Sequence, residues 1–157
     1  MSETVKEIIK RHLESVPVKL GALASDLGIE VFRSPLKPGI SGLIEPSKTS
    51  ASGFRIKLNR HESVERQRFT LAHEIAHFLL HKELIRGGVV DNTMYRSNLS
   101  SRHEIEANKL ASLIIMPDAA VERLSAQYAT LPTEEKVARM AKQLRVSEPA
   151  MRIKLGV

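Results

Sequence analysis

The sequence predicts an α+β fold that is mainly helical and has a small antiparallel sheet. Most of the chain places apolar residues at helical spacing, whereas residues 54–58 alternate apolar and basic side chains as a half-buried strand does. The length of 157 residues suits one domain, which could bury about 70% of the surface that its unfolded chain exposes. We therefore expect a single domain over residues 1–157.

The N-terminal part predicts two helices and then the sheet. Residues 3–15 and 18–27 carry apolar side chains at helical spacing, and Gly28 suits the left-handed position that follows a helix. Clusters of proline, glycine and serine separate the segments that come next. The strands are expected at residues 29–32, 40–44 and 54–58.

An apolar, helix-length run at residues 68–81 contains the pattern His-Glu-x-x-His. On a helix, His73 and His77 lie about 6 Å apart along the axis, so both imidazoles can reach one ion. A catalytic zinc takes three protein ligands and keeps one position open, and the adjacent Glu74 could take a proton from a water there. The spacing could also arise by chance in a helix whose histidines only cap the core, but unpaired histidines would be costly in so apolar a run. We predict one Zn²⁺ per chain, with Glu74 as the catalytic base.

His81 continues the histidine series but is not predicted to be the third ligand. It lies eight residues after His73, about 12 Å further along the helix axis, which is too far to share the same ion. We interpret His81 as a helix-end residue that interacts favourably with the helix dipole.

A second helix, which ends before Pro117, is expected to supply the third ligand. Glu104 and Glu106 cannot both face inward. Glu104 belongs to a stripe of mainly small residues, whereas Glu106 shares its side with basic residues. Glu104 is therefore the predicted ligand. Asn108, one turn on, could hold that carboxylate or a ligand histidine by a hydrogen bond, or could equally be a buried amide that caps a loop.

The segment between these helices, residues 82–102, is rich in glycine, serine and asparagine and predicts a mobile loop and candidate substrate lid. Tyr95 or Arg96 could stabilise an oxyanion there. We favour the interpretation that Tyr95 and Arg96 only hold the loop in place. His103 could also stabilise an oxyanion, or could simply begin the helix.

The segment at residues 118–157 predicts helices in a helix-turn-helix-like arrangement, with basic residues exposed. This supports an alternative function, a DNA-binding or protein-binding regulatory module with a non-catalytic zinc site. A recognition helix here would have only about two turns and no third element to brace it. We therefore interpret the segment as packing and do not favour nucleic-acid binding.

Composition excludes several classes of protein and site. The chain has no cysteine, which rules out disulfides and thiolate metal sites. It has no apolar run near 18 residues and no signal-like leader, so a cytoplasmic protein without a membrane segment is expected. The net charge of +6 leaves nucleic acid or an acidic protein open as a partner. The few aromatic residues offer no stacking platform for single strands.

The segments RFTLAHEIAHFLLH and EIEANKLASLIIMP resemble the ImmA/IrrE family of zinc metallopeptidases. The resemblance runs from about Pro17 to the C-terminus, with residues 17–117 as the catalytic core that contains both motifs. It places the family's zinc ligands on His73, His77 and Glu104 and its catalytic glutamate on Glu74. The chain departs from the usual family pattern only mildly, with Leu110 in place of phenylalanine and Ala76 in place of glycine.

The resemblance also implies an activity and a class of partner. It implies a zincin-like domain that cuts transcriptional repressors with helix-turn-helix domains at specific sites. Family members often belong to phages, other mobile elements or stress-response operons. A protein substrate, and in particular such a repressor, is therefore the expected partner.

Overall fold

This computed structural model describes residues 3–87, 90–91 and 100–157, with only the backbone at residues 90 and 91. Within these ranges the chain forms eight helices and one four-stranded sheet, which confirms the mainly helical α+β class. The helices are α1 (Val5–His12), α2 (Leu20–Asp26), α3 (Val64–Leu80), α4 (Lys82–Arg86), α5 (Ser101–Ile115), α6 (Asp118–Gln127), α7 (Thr133–Leu144) and α8 (Glu148–Leu155). The strands are β1 (Glu30–Ser34), β2 (Gly42–Pro46), β3 (Phe54–Asn59) and β4 (Val90–Asp91).

Local signals fix the ends of several helices. The Ser63 hydroxyl accepts a hydrogen bond from the Arg66 backbone at 3.1 Å and begins α3. Ser147 begins α8 in the same way. Gly28 follows α2 with a φ of 79°, a conformation that glycine adopts without strain. Gly28 thus ends α2 as predicted, and serine is one of the residue types that favour the start of a helix.

The sheet is mixed, with strand order β1-β3-β2-β4, so the prediction of a wholly antiparallel sheet is wrong for β1. Strands β2 and β3 pair antiparallel as expected, but β1 pairs parallel to β3. The segment of residues 35–41 is longer than a tight hairpin loop and leaves a gap of one strand between β1 and β2. The hairpin of β2 and β3 is oriented so that β3 fills that gap and lies alongside β1.

The sheet packs against α3, as predicted for the helix that carries the histidine pair. Phe54, Ile56 and Leu58 of β3 are buried, while the basic residues between them are half-buried, so the alternation seen in the sequence is confirmed. The rings of Phe54 and Phe78 meet edge to face at 5.6 Å between centroids and join the sheet to α3. Helix α5 also packs against α3. Helix α3 is therefore covered by both the sheet and α5.

The prediction of a loop over residues 82–102 is wrong for residues 82–86, 90–91 and 101–102, which belong to α4, β4 and α5. Helix α4 begins directly after α3 and packs against β2 with Ile85 fully buried. Strand β4 adds to the sheet beside β2. A single buried residue in a five-residue helix gives no periodic signal, which is why the sequence did not indicate α4.

Helices α7 and α8 pack against each other at the C-terminal end. Most of the apolar residues predicted to pack there are buried, and Leu155 is partly buried: Val137, Met140, Ala141, Leu144, Val146 and Met151 are the buried ones. Two of the basic residues form ion pairs within the chain, Arg152 with Glu134, and Lys154 with Asp118 at 2.8 Å. Arg152 and Lys154 are among the side chains that a DNA-binding function would use for phosphate contacts, and here they contact carboxylates of the same chain.

In the part of the chain that the structure describes, no helix has both the length and the apolar character to cross a bilayer.

Gly42 of β2 lies close to Thr70 of α3, and we expect Gly42→Ala to destabilise the fold. An added Cβ would lie 2.7 Å from the Lys57 carbonyl oxygen and 2.7 Å from Thr70 Cγ2. The backbone oxygen cannot swing away, so the free energy of unfolding should fall by about 1–3 kcal/mol. Urea unfolding at equilibrium measures this change.

Gly21→Ala is the matched control for Gly42→Ala. No atom lies within 4 Å of a Cβ at Gly21, which sits in α2. That variant should be as stable as the wild type or more stable by up to about 1 kcal/mol. Equal stability of Gly42→Ala and the wild type would contradict the close approach of β2 to α3.

Candidate metal centre

The histidine pair lies on the buried part of α3. The exposed fractions are 2% for His73, 0% for Glu74 and 0% for His77, because the sheet and α5 cover the helix. The imidazole rings of His73 and His77 lie 4.5 Å apart between centroids, at 89° to each other. Their one-turn spacing thus brings two ring nitrogens into one buried region.

Helix α5 brings Glu104 to this pair. Ser100 caps the start of α5, and the fully buried Ala107 and Ala111 lie within the packed core. The Glu104 Oε2 atom lies 3.0 Å from His73 Nε2 and 3.3 Å from His77 Nε2. The structure therefore brings together all three residues that the sequence predicts as ligands.

This donor set fits a zinc ion. Two atoms bound at about 2.0–2.1 Å to one tetrahedral zinc lie about 3.3 Å apart, close to the separations between Glu104 Oε2 and the two histidine nitrogens. The ligand atoms of His73, His77 and Glu104 all lie within 4.8 Å of one another. Imidazole nitrogen and carboxylate oxygen are both common ligands of zinc.

A known peptidase family matches most of the chain. A peptidase family model described as the IrrE N-terminal-like domain matches residues 24–155. The chain belongs to the IrrE N-terminal-like family. The match confirms the resemblance seen in the two motifs and indicates a metallopeptidase. No curated protein matches the chain.

In this member of the IrrE N-terminal-like family, His81 does more than end α3. His81 is the C-terminal cap of the helix, as the sequence indicates, but its Nδ1 also lies 3.0 Å from Nδ1 of His77. Its Nε2 lies 3.3 Å from Glu106 Oε1. This contact was not predicted from the sequence, although His77 and His81 have the one-turn spacing that makes side chains on a helix meet.

An ion bound to His77 would fix where the protons lie along the row formed by His77, His81 and Glu106. An ion bound to Nε2 of His77 requires the His77 proton on Nδ1, which then donates to Nδ1 of His81. His81 must therefore carry its proton on Nε2, where it donates to Glu106. The row would then hold the ring orientation of His77 in the way that partners of metal-bound histidines usually do.

The other predicted site residues lie elsewhere. His103 is in the first turn of α5, where its ring and the Ser100 hydroxyl form a capping box, in agreement with the helix-start interpretation. Asn108 is exposed to solvent and is not brought to the centre, because only the neighbouring Ala107 and Ala111 side of α5 is buried. Tyr95 and Arg96 lie outside the described residues.

Burial lowers the pKa of the His77 imidazole from its ordinary value, against the opposing effect of the Glu104 carboxylate. For the metal-free protein, we expect the free energy of unfolding to fall as the pH drops below about 6.5, the pKa of histidine in an unfolded chain. The decrease continues until the pH passes the lower pKa of folded His77, where the loss is complete. Urea unfolding of chelator-treated protein at a series of pH values measures it.

His77→Gln isolates this contribution, because glutamine does not titrate. The decrease in stability below about pH 6.5 should be shallower in His77→Gln than in the wild type. Parallel pH profiles for the two proteins would show that His77 is not held neutral by burial.

Proposed function

We propose that the chain is a zinc-dependent endopeptidase. The observation that supports this most strongly is the convergence of His73, His77 and Glu104 in the interior, with Glu74 in the same turn of α3. A purely structural metal site needs no base, whereas hydrolysis of an amide at neutral pH does. The buried Glu74 carboxylate is the natural candidate for that base.

Each residue has a separate part in the proposed reaction. Zinc, when bound, supplies Lewis-acid polarisation of oxygen ligands. His73, His77 and Glu104 would hold it with two neutral donors and one negative donor, which would leave a net positive charge at the centre. Glu74 takes a proton from the attacking water and returns it to the leaving amine. Because His73, Glu74 and His77 are buried, bulk water would have little access to this proton transfer.

We further propose that the substrate is a transcriptional repressor with a helix-turn-helix domain, cut in the cytoplasm. Membership of a peptidase family supports a protein substrate. The finer assignment to a repressor rests on the resemblance of the two motifs to ImmA/IrrE peptidases. Residues 17–117 would form the catalytic core, and residues 118–157 would pack against it.

The test is to incubate the purified chain with the repressor encoded beside its gene. One zinc per chain and cleavage at a single position are expected, with cleavage lost on chelation and restored by added zinc. Gel analysis and mass spectrometry of the fragments identify the bond. One zinc per chain without cleavage of that repressor would support the alternative, a regulatory module with a non-catalytic zinc site.

A further inference from the structure

A second group of potential metal ligands lies at the C-terminal end of α3. It consists of His81, His103 and Glu106, whose ligand atoms all lie within 4.8 Å of one another. His81 Nε2 is 3.3 Å from Glu106 Oε1, and the rings of His81 and His103 are 4.8 Å apart between centroids. This group, the second cluster, shares no residue with the candidate metal centre.

The second cluster opens to solvent. A cavity of about 450 Å³ is lined by all three of its residues. The His81 side chain is 5% exposed and the Glu106 side chain 46% exposed, so a ligand can approach from the Glu106 side. Lys82 and Arg102 also line the cavity, but the Lys82 ammonium lies over the Phe78 ring at 4.2 Å.

We propose that the second cluster binds a divalent transition-metal ion such as zinc, and that this ion and the one in the candidate metal centre oppose each other. Two imidazoles and one carboxylate form a donor set that suits such ions. His81 would bind through Nε2. His103 would also use Nε2, because its Nδ1 lies 3.0 Å from the Ser100 hydroxyl. Glu106 would supply one carboxylate oxygen.

The opposition follows from the contact between His77 and His81. An ion on His77 Nε2 places the His81 proton on Nε2, the nitrogen that the second ion needs. An ion on His81 Nε2 places the His81 proton on Nδ1, facing His77 Nδ1 at 3.0 Å. His77 Nδ1 must then accept, so the His77 proton moves to Nε2 and blocks the first ion. Each ion therefore weakens the other by the same factor. The opposition rests on the metal centre proposed above, whereas the second cluster itself does not.

The test measures zinc binding to the full chain by equilibrium dialysis. The double variant His73→Ala, Glu104→Ala removes the candidate metal centre and should still bind one zinc per chain. The affinity of the double variant for its one zinc should exceed the affinity of the wild type for a second zinc. The expected difference is about 5- to 150-fold, the usual range of coupling between sites. Adding His103→Gln and Glu106→Gln should abolish the binding.

The glutamine at position 103 keeps a side chain that can complete the capping box, and Glu106 is exposed, so these changes leave the fold in place. Equal zinc binding by the double and quadruple variants would overturn the second cluster. Equal affinity of the double variant and the wild type for the zinc at the second cluster would overturn the opposition. Failure of the wild type to bind a first zinc would instead count against the proposed function.

A second measurement does not depend on how the double variant folds. In wild type loaded with one zinc, imidazole ¹⁵N shifts should report the proton on Nδ1 of His77 and on Nε2 of His81. Excess zinc should change the His81 signals in the wild type but not in His103→Gln. Unchanged His81 signals in the wild type would contradict the proposal.

Discussion

Replacing Glu74 by glutamine should abolish peptide cleavage and leave zinc bound. Glutamine has nearly the same shape as glutamate but cannot accept a proton from the attacking water. A positioned general base contributes about 10²–10⁴-fold to a rate, so kcat should fall by at least about 100-fold. His73, His77 and Glu104 are unchanged, so the zinc content should stay at one per chain. Cleavage kinetics and metal analysis on the same preparation measure both quantities.

Glu65→Gln is the matched control, because Glu65 is exposed in the first turn of the same helix. It should keep both zinc and activity. Cleavage by Glu74→Gln at the wild-type rate would remove Glu74 from the proposed reaction.

Replacing Glu104 by alanine should remove the zinc and with it the activity. Glu104 supplies the donor from α5, and two histidines alone do not make the three-ligand set of a catalytic zinc. Loss of a partner that only orients a ligand costs about 10- to 100-fold in metal affinity, so loss of a ligand should cost more than about 100-fold. Zinc competition with a chromogenic chelator measures the change, and His73→Ala should behave in the same way.

The control for Glu104→Ala is Asn108→Ala, one turn along the same helix. Because Asn108 is exposed, this variant should bind zinc as the wild type does. Wild-type zinc affinity in Glu104→Ala would mean that another residue supplies the third ligand.

Signals that act within a few residues made much of the fold predictable. Ser63 and Ser147 accept hydrogen bonds from backbone groups three residues away, and Gly28 provides the positive φ after α2. The spacing of His73 and His77 is a property of one helix. The choice of Glu104 over Glu106 was also possible, because the alanines that follow Glu104 mark the side of α5 that can lie close to a neighbour.

Features that depend on contacts between distant segments were not predictable. The parallel pairing of β1 with β3 follows from the insertion of β3 into a gap, which no local pattern records. The contact between His81 and Glu106 depends on the rotation of α5 about its axis relative to α3. A helix as short as α4 presents one buried residue, too few to show a period.

The distribution of the candidate ligands over two helices would couple metal supply to folding. His73 and His77 come from α3 and Glu104 from α5, so the set exists only while the two helices are packed. An ion that binds the packed pair and not the unfolded chain adds about 2.7 kcal/mol to the free energy of unfolding when its free concentration is about 100 times the Kd. In a cell short of zinc, more of the chain would be unfolded and open to degradation. The abundance of the protein would then depend on zinc availability.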